Sequence, residues 1–212
     1  MTITIFGATG MVGKYVVAQA LANGDTVKAF GRNVESLIDK DLHNENFEAV
    51  KGYVFDESDV YKAIKNTDAV ISVLGGGFDG TDKTRSIGIK NIIAQMQKAK
   101  VNRIIALGGL GILNADEDTL ILDTPGYPEM YKPVGREHLE AYQCLKNSTL
   151  SWTFICPPNI LDKGKTGNYI TNANYPTTPN NNEIAAGDIA DFMLQELVKN
   201  KFIKMRVGIS RL

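Results

Sequence analysis

Gly7, Gly10 and Gly13 recur at three-residue intervals between a short apolar run and a run with helical spacing. Thr2 to Phe6 is β-branched, apolar and uncharged, as a buried strand is. Val12, Val16 and Ala20 on one row, with Val17 and Leu21 on the next, follow the period of a helix that Asn23-Gly24 closes. A strand, a glycine turn and a helix N-terminus together form an anion site, because the unpaired amides of the first helical turn and the helix dipole point into the turn. Gly7 permits the turn, Gly10 lets a pyrophosphate approach the backbone, and Gly13 lets helix and strand pack closely. Thr9, Met11 and Val12 complete the expected phosphate cradle.

A second group of residues bears on which dinucleotide the turn would take. The strand Thr26 to Phe30 ends in Gly31-Arg32-Asn33, where a site specific for a ribose 2′-hydroxyl would place a carboxylate. A guanidinium grips a 2′-phosphate in two-pronged fashion and offers nothing special to a hydroxyl. Lys14 points the same way, since a cation in the first turn of a helix opposes the dipole unless a phosphate is its neighbour. Arg32, Asn33 and Lys14 thus predict NADP (NADPH) rather than NAD.

The elements that must position these groups alternate strand and helix along the chain. Further strands are expected at Phe47 to Val50, Ala69 to Leu74, Arg103 to Leu107 and Trp152 to Cys156. The last, Lys204 to Ser210, alternates Met205, Val207 and Ile209 with Lys204 and Arg206, and reads as an edge strand with one wet face. Val34, Leu37 and Ile38 give a short helical pattern, and Ser58-Asp59 offers an N-cap to a helix holding Val60 and Ile64. A helix follows from about Thr84 with Ile89, Ile92, Ile93 and Met96 inward, and a last one begins near Gly187. Seven strands with helices between them predict an α/β fold, a single doubly wound domain over residues 1–212 with a mostly parallel sheet.

Ligands of such sheets lie at the carboxyl ends of the strands. Val54, the run Leu74-Gly75-Gly76, the pair Leu107-Gly108, and Pro157 stand at those ends and complete the expected cofactor contacts. Loops 108–131 and 157–182 would wall an acceptor pocket. The first carries Asp116, Glu117, Asp118, Pro125, Tyr127 and Tyr131 and is a candidate lid. Residues 172–182 read as a surface loop.

The bulk composition narrows the classes. Of 212 residues, 43% are hydrophobic and 22% charged, and the formal net charge of −1 gives no reason to expect nucleic acid or an anionic membrane as a partner. No apolar stretch reaches membrane-spanning length, and the N-terminus lacks a basic leader pattern. Cys144 and Cys156 are the two cysteines, and reduced thiols in a cytoplasmic protein are expected.

Gly7 to Gly13, Gly31-Arg32-Asn33, the glycines after Leu74, Glu137-His138-Leu139, Trp152 to Ile160, Thr166-Gly167-Asn168-Tyr169 and Gly187-Asp188-Ile189-Ala190 occur in a matching order. Together they resemble the biliverdin reductase B/flavin reductase branch of atypical short-chain dehydrogenase/reductases, near the NmrA-like proteins. The resemblance covers essentially the whole chain. It implies a Rossmann domain with a seven-stranded sheet and NADPH-dependent reduction of flavins, quinones or tetrapyrroles. His138 and Pro157-Pro158 match residues of that branch, whereas its serine after the fifth strand is replaced by Gly109 and its second pocket histidine by Asn159. The superfamily usually places an aspartate before the valine that covers adenine, and Tyr53 stands there instead.

Tyr142 and Lys146 match the superfamily's Tyr-x-x-x-Lys proton-donating dyad in spacing. They lie too near the strand Trp152 to Cys156, and the superfamily's dyad falls a few turns earlier, on Val134 and His138. His138 is therefore the expected functional residue on that helix, titrating near its ordinary value of about 6.5. Hydride transfer to a planar, electron-poor acceptor needs little proton help, so a site without the dyad can still reduce a flavin or quinone. The alternatives are a non-catalytic NADP-binding redox sensor and, third, a sugar epimerase or dehydratase. A small-molecule acceptor is the expected partner, in a monomer or dimer.

Overall fold

The computed structural model describes residues 1–37 and 45–212; Ile38, placed in a helical pattern above, lies outside them. The chain begins with β1 (Thr2–Phe6), α1 (Met11–Ala22), β2 (Thr26–Gly31) and β3 (Phe47–Lys51). It continues through α2 (Glu57–Ile64), β4 (Ala69–Ser72), α3 (Thr84–Ala99), β5 (Arg103–Leu107), α4 (Lys132–Lys146) and β6 (Ser151–Cys156). Three short strands follow, β7 (Asn159–Leu161), β8 (Tyr169–Ala173) and β9 (Glu183–Ala185), then α5 (Ala186–Lys199) and β10 (Met205–Arg211).

The main sheet has the order β3-β2-β1-β4-β5-β6-β10-β8, and β7 pairs with β9 in a separate two-stranded sheet. Every pairing in the main sheet is parallel except β10 with β8. Strand order reverses between β1 and β4, which opens a crevice outside their carboxyl ends. Two apolar layers cover the sheet. Val12, Val16 and Ala20 of α1 and Ile189, Ala190 and Met193 of α5 pack on one face. Val60 and Ile64 of α2, Ile89, Ile92 and Met96 of α3, and Ala141 and Leu145 of α4 pack on the other. This is a doubly wound Rossmann-like fold.

Four local expectations change. The main sheet has eight strands rather than seven, because Tyr169–Ala173, which runs two residues into the expected surface loop 172–182, pairs with β10. That pairing makes β10 an interior strand instead of an edge. Its Arg206 is buried, donating to the Ile112 carbonyl and to Asn114 Oδ1 at 2.7 Å and lying 4.9 Å from the Tyr142 ring centroid. The N-cap of α2 is Asp56, whose carboxylate accepts the Asp59 N–H at 2.9 Å. Finally, β4 ends at Ser72, so Val73 and Leu74 already belong to the loop. Among the described residues no helix is long and apolar enough to cross a membrane.

Candidate functional site

The turn from β1 to α1 is closed on itself. Gly10 N–H donates to the Gly7 carbonyl at 3.0 Å, and Gly7 has φ +82°, a conformation that glycine adopts freely. A Cβ on Gly7 would stand 2.6 Å from the Val73 carbonyl oxygen, so the turn lies directly against the end of β4. A Cβ on Gly13 would sit 2.8 Å from the Ala8 carbonyl carbon and inside the Gly7 carbonyl oxygen. Gly10 caps α1 without a side-chain bond and the first turn holds no acid, so the amides of Met11, Val12 and Gly13 point into the crevice without an intrahelical partner. A backbone hollow that any Cβ would fill, lined by amides at a positive helix end, fits a pyrophosphate.

Beside it, Gly31 brings the end of β2 to the turn, its missing Cβ 4.0 Å from Thr9 Oγ1. Arg32 and Asn33 follow on the surface, and Arg32 has no partner among the described residues. Lys14 does not extend this basic pair. Its ammonium bonds Asp162 at 2.9 Å, and Asp162 also accepts the Tyr15 hydroxyl at 3.0 Å. The pair with Asp162 gives Lys14 a partner at that helix end within the chain itself.

At the end of β3, Tyr53 is 62% exposed while its N–H is held by Asp59 at 3.1 Å. Asn91 donates to the Val54 carbonyl at 2.8 Å, which fixes that carbonyl while the Val54 N–H has no partner among the described residues. Val54 and Leu74 side chains meet over Gly88, on whose Cβ Leu74 Cδ1 would lie 2.7 Å away.

The glycines after Leu74 are held rather than free. Arg85 donates to the Gly77 and Gly76 carbonyls at 3.0 and 3.1 Å, and the Asp82 carboxylate accepts the Gly77 N–H at 3.0 Å and the Thr84 N–H at 2.9 Å. Arg85 is 7% exposed and its Nε has no partner. Sequence reasoning missed this residue; the available signal was a cation in the first turn of α3, at the end where the dipole disfavours it.

His138 stands at the end of β5. A Cβ on Gly109 would be 3.0 Å from His138 Cδ2 and 3.3 Å from Nε2, so the ring occupies the room a larger residue 109 would need. His138 is half-buried as a residue, and its Nδ1 is buried without a partner. Burial, and then the neighbouring Arg85 charge, push its pKa down to about 3. The expectation of titration near 6.5 is thus overturned: His138 is neutral over the working range. Next to it, Glu137 is 2% exposed and takes Lys83 Nζ at 2.5 Å and Ser86 Oγ at 2.7 Å, which fastens α4 to the start of α3. Gly108 packs on Phe154, and Pro157, buried, accepts the Leu110 N–H at 3.0 Å. Leu107 is half-buried at the same edge.

Tyr142 lies away from this edge. Its ring stacks on Phe154 at 6.1 Å, meets Trp152 edge-on at 5.8 Å and covers Arg206, and Lys146 is exposed in the last turn of α4. Tyr142→Phe keeps those ring contacts and is expected to leave turnover unchanged. A hundredfold fall in a well-folded variant would instead place the hydroxyl in the reaction, since general acids contribute about that much. The loop over the edge is anchored at Leu122, fully buried, and by the bridge of Asn114 to Leu120, while its acids stand exposed and so do two of its large apolar side chains, Met130 and Tyr131, 71% and 44% exposed.

Fold and site together define a dinucleotide-binding Rossmann protein. A family model for NAD(P)H-binding proteins matches residues 7–200, and the chain belongs to that family, in its atypical short-chain dehydrogenase/reductase, flavin reductase-like group. The uncharacterised protein YwnB of Bacillus subtilis is 29% identical over 178 residues, 80% of this chain and 78% of its own. A proposed NADH-flavin reductase from Streptococcus pneumoniae is 28% identical, with a TM-score of 0.83 and 100% of both chains covered. A proposed epimerase from Bacteroides thetaiotaomicron is also 28% identical, with a TM-score of 0.85, 100% of this chain and 97% of its own covered.

Proposed function

We propose that this chain is an NADPH-dependent reductase that delivers hydride to a planar, electron-poor acceptor of the flavin or quinone kind. The observation that carries the reading is the amide-lined hollow at Gly7–Gly13 beside an edge with no positioned acid: Gly109 stands where the related branch has serine, and Tyr142 is packed elsewhere. Arg32 at the end of β2 supports NADPH over NADH, and the streptococcal relative supports a flavin-type acceptor. Two free thiols suit a reducing, cytoplasmic setting.

In this reading the cofactor, when bound, supplies the hydride. The chain holds its pyrophosphate on the first turn of α1, lets the loop from Leu74 to Gly76 meet the ribose with bare backbone, and keeps water from the edge with Leu107, Gly108 and Pro157. Reduced flavins and quinones take their protons from solvent, so no side chain need donate one at neutral pH. A simple ketone, whose alkoxide needs an acid in place, would be a poor substrate. NADPH oxidation scanned over FMN, riboflavin, quinones, biliverdin and a simple ketone tests this. Turnover with a flavin or quinone supports it, and an unchanged nicotinamide after long incubation with all of them favours the sensor.

His138, neutral and beside Gly109, orients the acceptor in this proposal. His138→Ala is expected to raise KM for the acceptor more than it lowers kcat, the mark of lost positioning. Wild-type kinetics should show no inflection from His138 between pH 5.5 and 8, and its ring nitrogens should show no NMR titration above about pH 5. Because its folded pKa is depressed, the stability linked to its neutral form is full above pH 6.5 and lost as pH falls toward 3. A midpoint near 6.5 would contradict the buried ring.

A further inference from the structure

We infer that Arg85 is a positioning residue for the cofactor, acting through the Gly75–Gly77 loop; this rests on the reading of the crevice as a nicotinamide site. Its guanidinium holds two successive carbonyls, those of Gly76 and Gly77. In a trans peptide the N–H points opposite to the carbonyl. Asp82 takes the Gly77 N–H, so the peptide between Gly76 and Gly77 is gripped from both sides. The next peptide has its carbonyl turned to Arg85 and the Phe78 N–H turned away from it. The amides of Gly75, Gly76 and Phe78 have no partner among the described residues. Arg85 thereby fixes two successive peptides of a glycine loop able to adopt many shapes, and with them the direction of the free Phe78 N–H and the path of the chain leaving β4.

Two carbonyls, the Phe78 ring 6.0 Å away and the nearby Asp82 and Glu137 charges offset part of the cost of burying this guanidinium, but desolvation is the larger effect. The group is desolvated, in the first turn of α3 where the dipole repels it, and no carboxylate lies within ion-pair distance among the described residues. The two carbonyls it holds belong to a glycine loop that water could serve instead. A group that is costly to bury and ordered against functional backbone is a device of pre-organisation. A fork is also required, since one lysine ammonium cannot span two carbonyls in the fixed geometry of a guanidinium.

The test compares Arg85→Met and Arg85→Lys with wild type in three measurements: amide hydrogen exchange at residues 74–78 in the free chain, Tm, and NADPH affinity by fluorescence titration. Arg85→Met should exchange at least tenfold faster at Gly77, bind NADPH at least tenfold more weakly, and melt no lower than wild type. Arg85→Lys should recover little of the binding. Met96→Ala, which thins the core at the far end of α3, is the control for general loosening. Wild-type affinity in Arg85→Met, full recovery by lysine, or an equal loss in Met96→Ala would each overturn the proposal. If Arg85→Met does not fold, wild-type affinity in Arg85→Lys overturns it and a tenfold loss supports it. A wild type that ignores NADPH refutes the cofactor reading, whereas the exchange measurement on the free chain still decides whether Arg85 sets the loop.

Discussion

Gly13→Ala is expected to remove nucleotide binding altogether and to lower stability by about 3 kcal/mol, the upper end of what overpacking costs. The added carbon meets the Gly7 carbonyl oxygen and the Ala8 backbone, and neither can rotate aside as a side chain would. Relief requires α1 to move off β1. That motion dissolves the hollow and lifts Val12, Val16 and Val17 from the core at once. Gly126→Ala serves as the control, because nothing lies within 4 Å of its Cβ and its φ is ordinary. A thermal melt and an NADPH titration on both variants decide the matter: a Gly13→Ala protein with wild-type affinity would mean that the glycine turn does not hold the cofactor.

The second large effect is expected at Arg32. NADPH should lose 1.5–3 kcal/mol of binding, about 10- to 100-fold, in Arg32→Ala, while NADH affinity stays within about twofold. The selectivity is the informative part. A guanidinium bound to a 2′-phosphate contributes nothing to a nucleotide without one, so a variant weakened equally toward both would show that Arg32 merely supports the end of β2. Raising ionic strength should weaken NADPH in wild type more than in the variant, because the contact is exposed and screened. Equal wild-type affinities for the two nucleotides would remove the argument for NADPH.

Much of this architecture could be read from local pattern, and the parts that could not share a cause. The glycine turn was legible because three of its residues are demanded by backbone contacts within thirteen positions. The packing of the Tyr142 ring on Trp152 and Phe154 agrees with the short distance in sequence between Lys146 and β6. Lys14 misled because its partner, Asp162, lies 148 positions away, and no local rule announces such a pair. Arg206 misled for the opposite reason. An alternating strand with a charged residue reads as half wet, but both terminal nitrogens of this guanidinium are bonded, to a carbonyl and an amide oxygen, and its face lies on an aromatic ring, all supplied from other elements. The titration of His138 could not be read, since the depression comes from burial between α4 and the end of β5 and from a charge on α3. Short strands also escaped: β7 and β9 are three residues each and carry too little periodicity to be seen.

The packing of α5 against α1 has a consequence for synthesis. The helix that presents the amide hollow leaves the ribosome long before α5, yet its inner face is completed by Ile189, Ala190 and Met193, and Gln19 bonds the Gly187 carbonyl at 2.9 Å. Contacts this distant in sequence close late in folding. Until α5 emerges, the valines of α1 lack the part of their cover that α5 supplies, an apolar surface on which a chaperone can dwell. Stalled or truncated chains ending before α5 should therefore be captured in an aggregation-prone form, and added nucleotide should not rescue them.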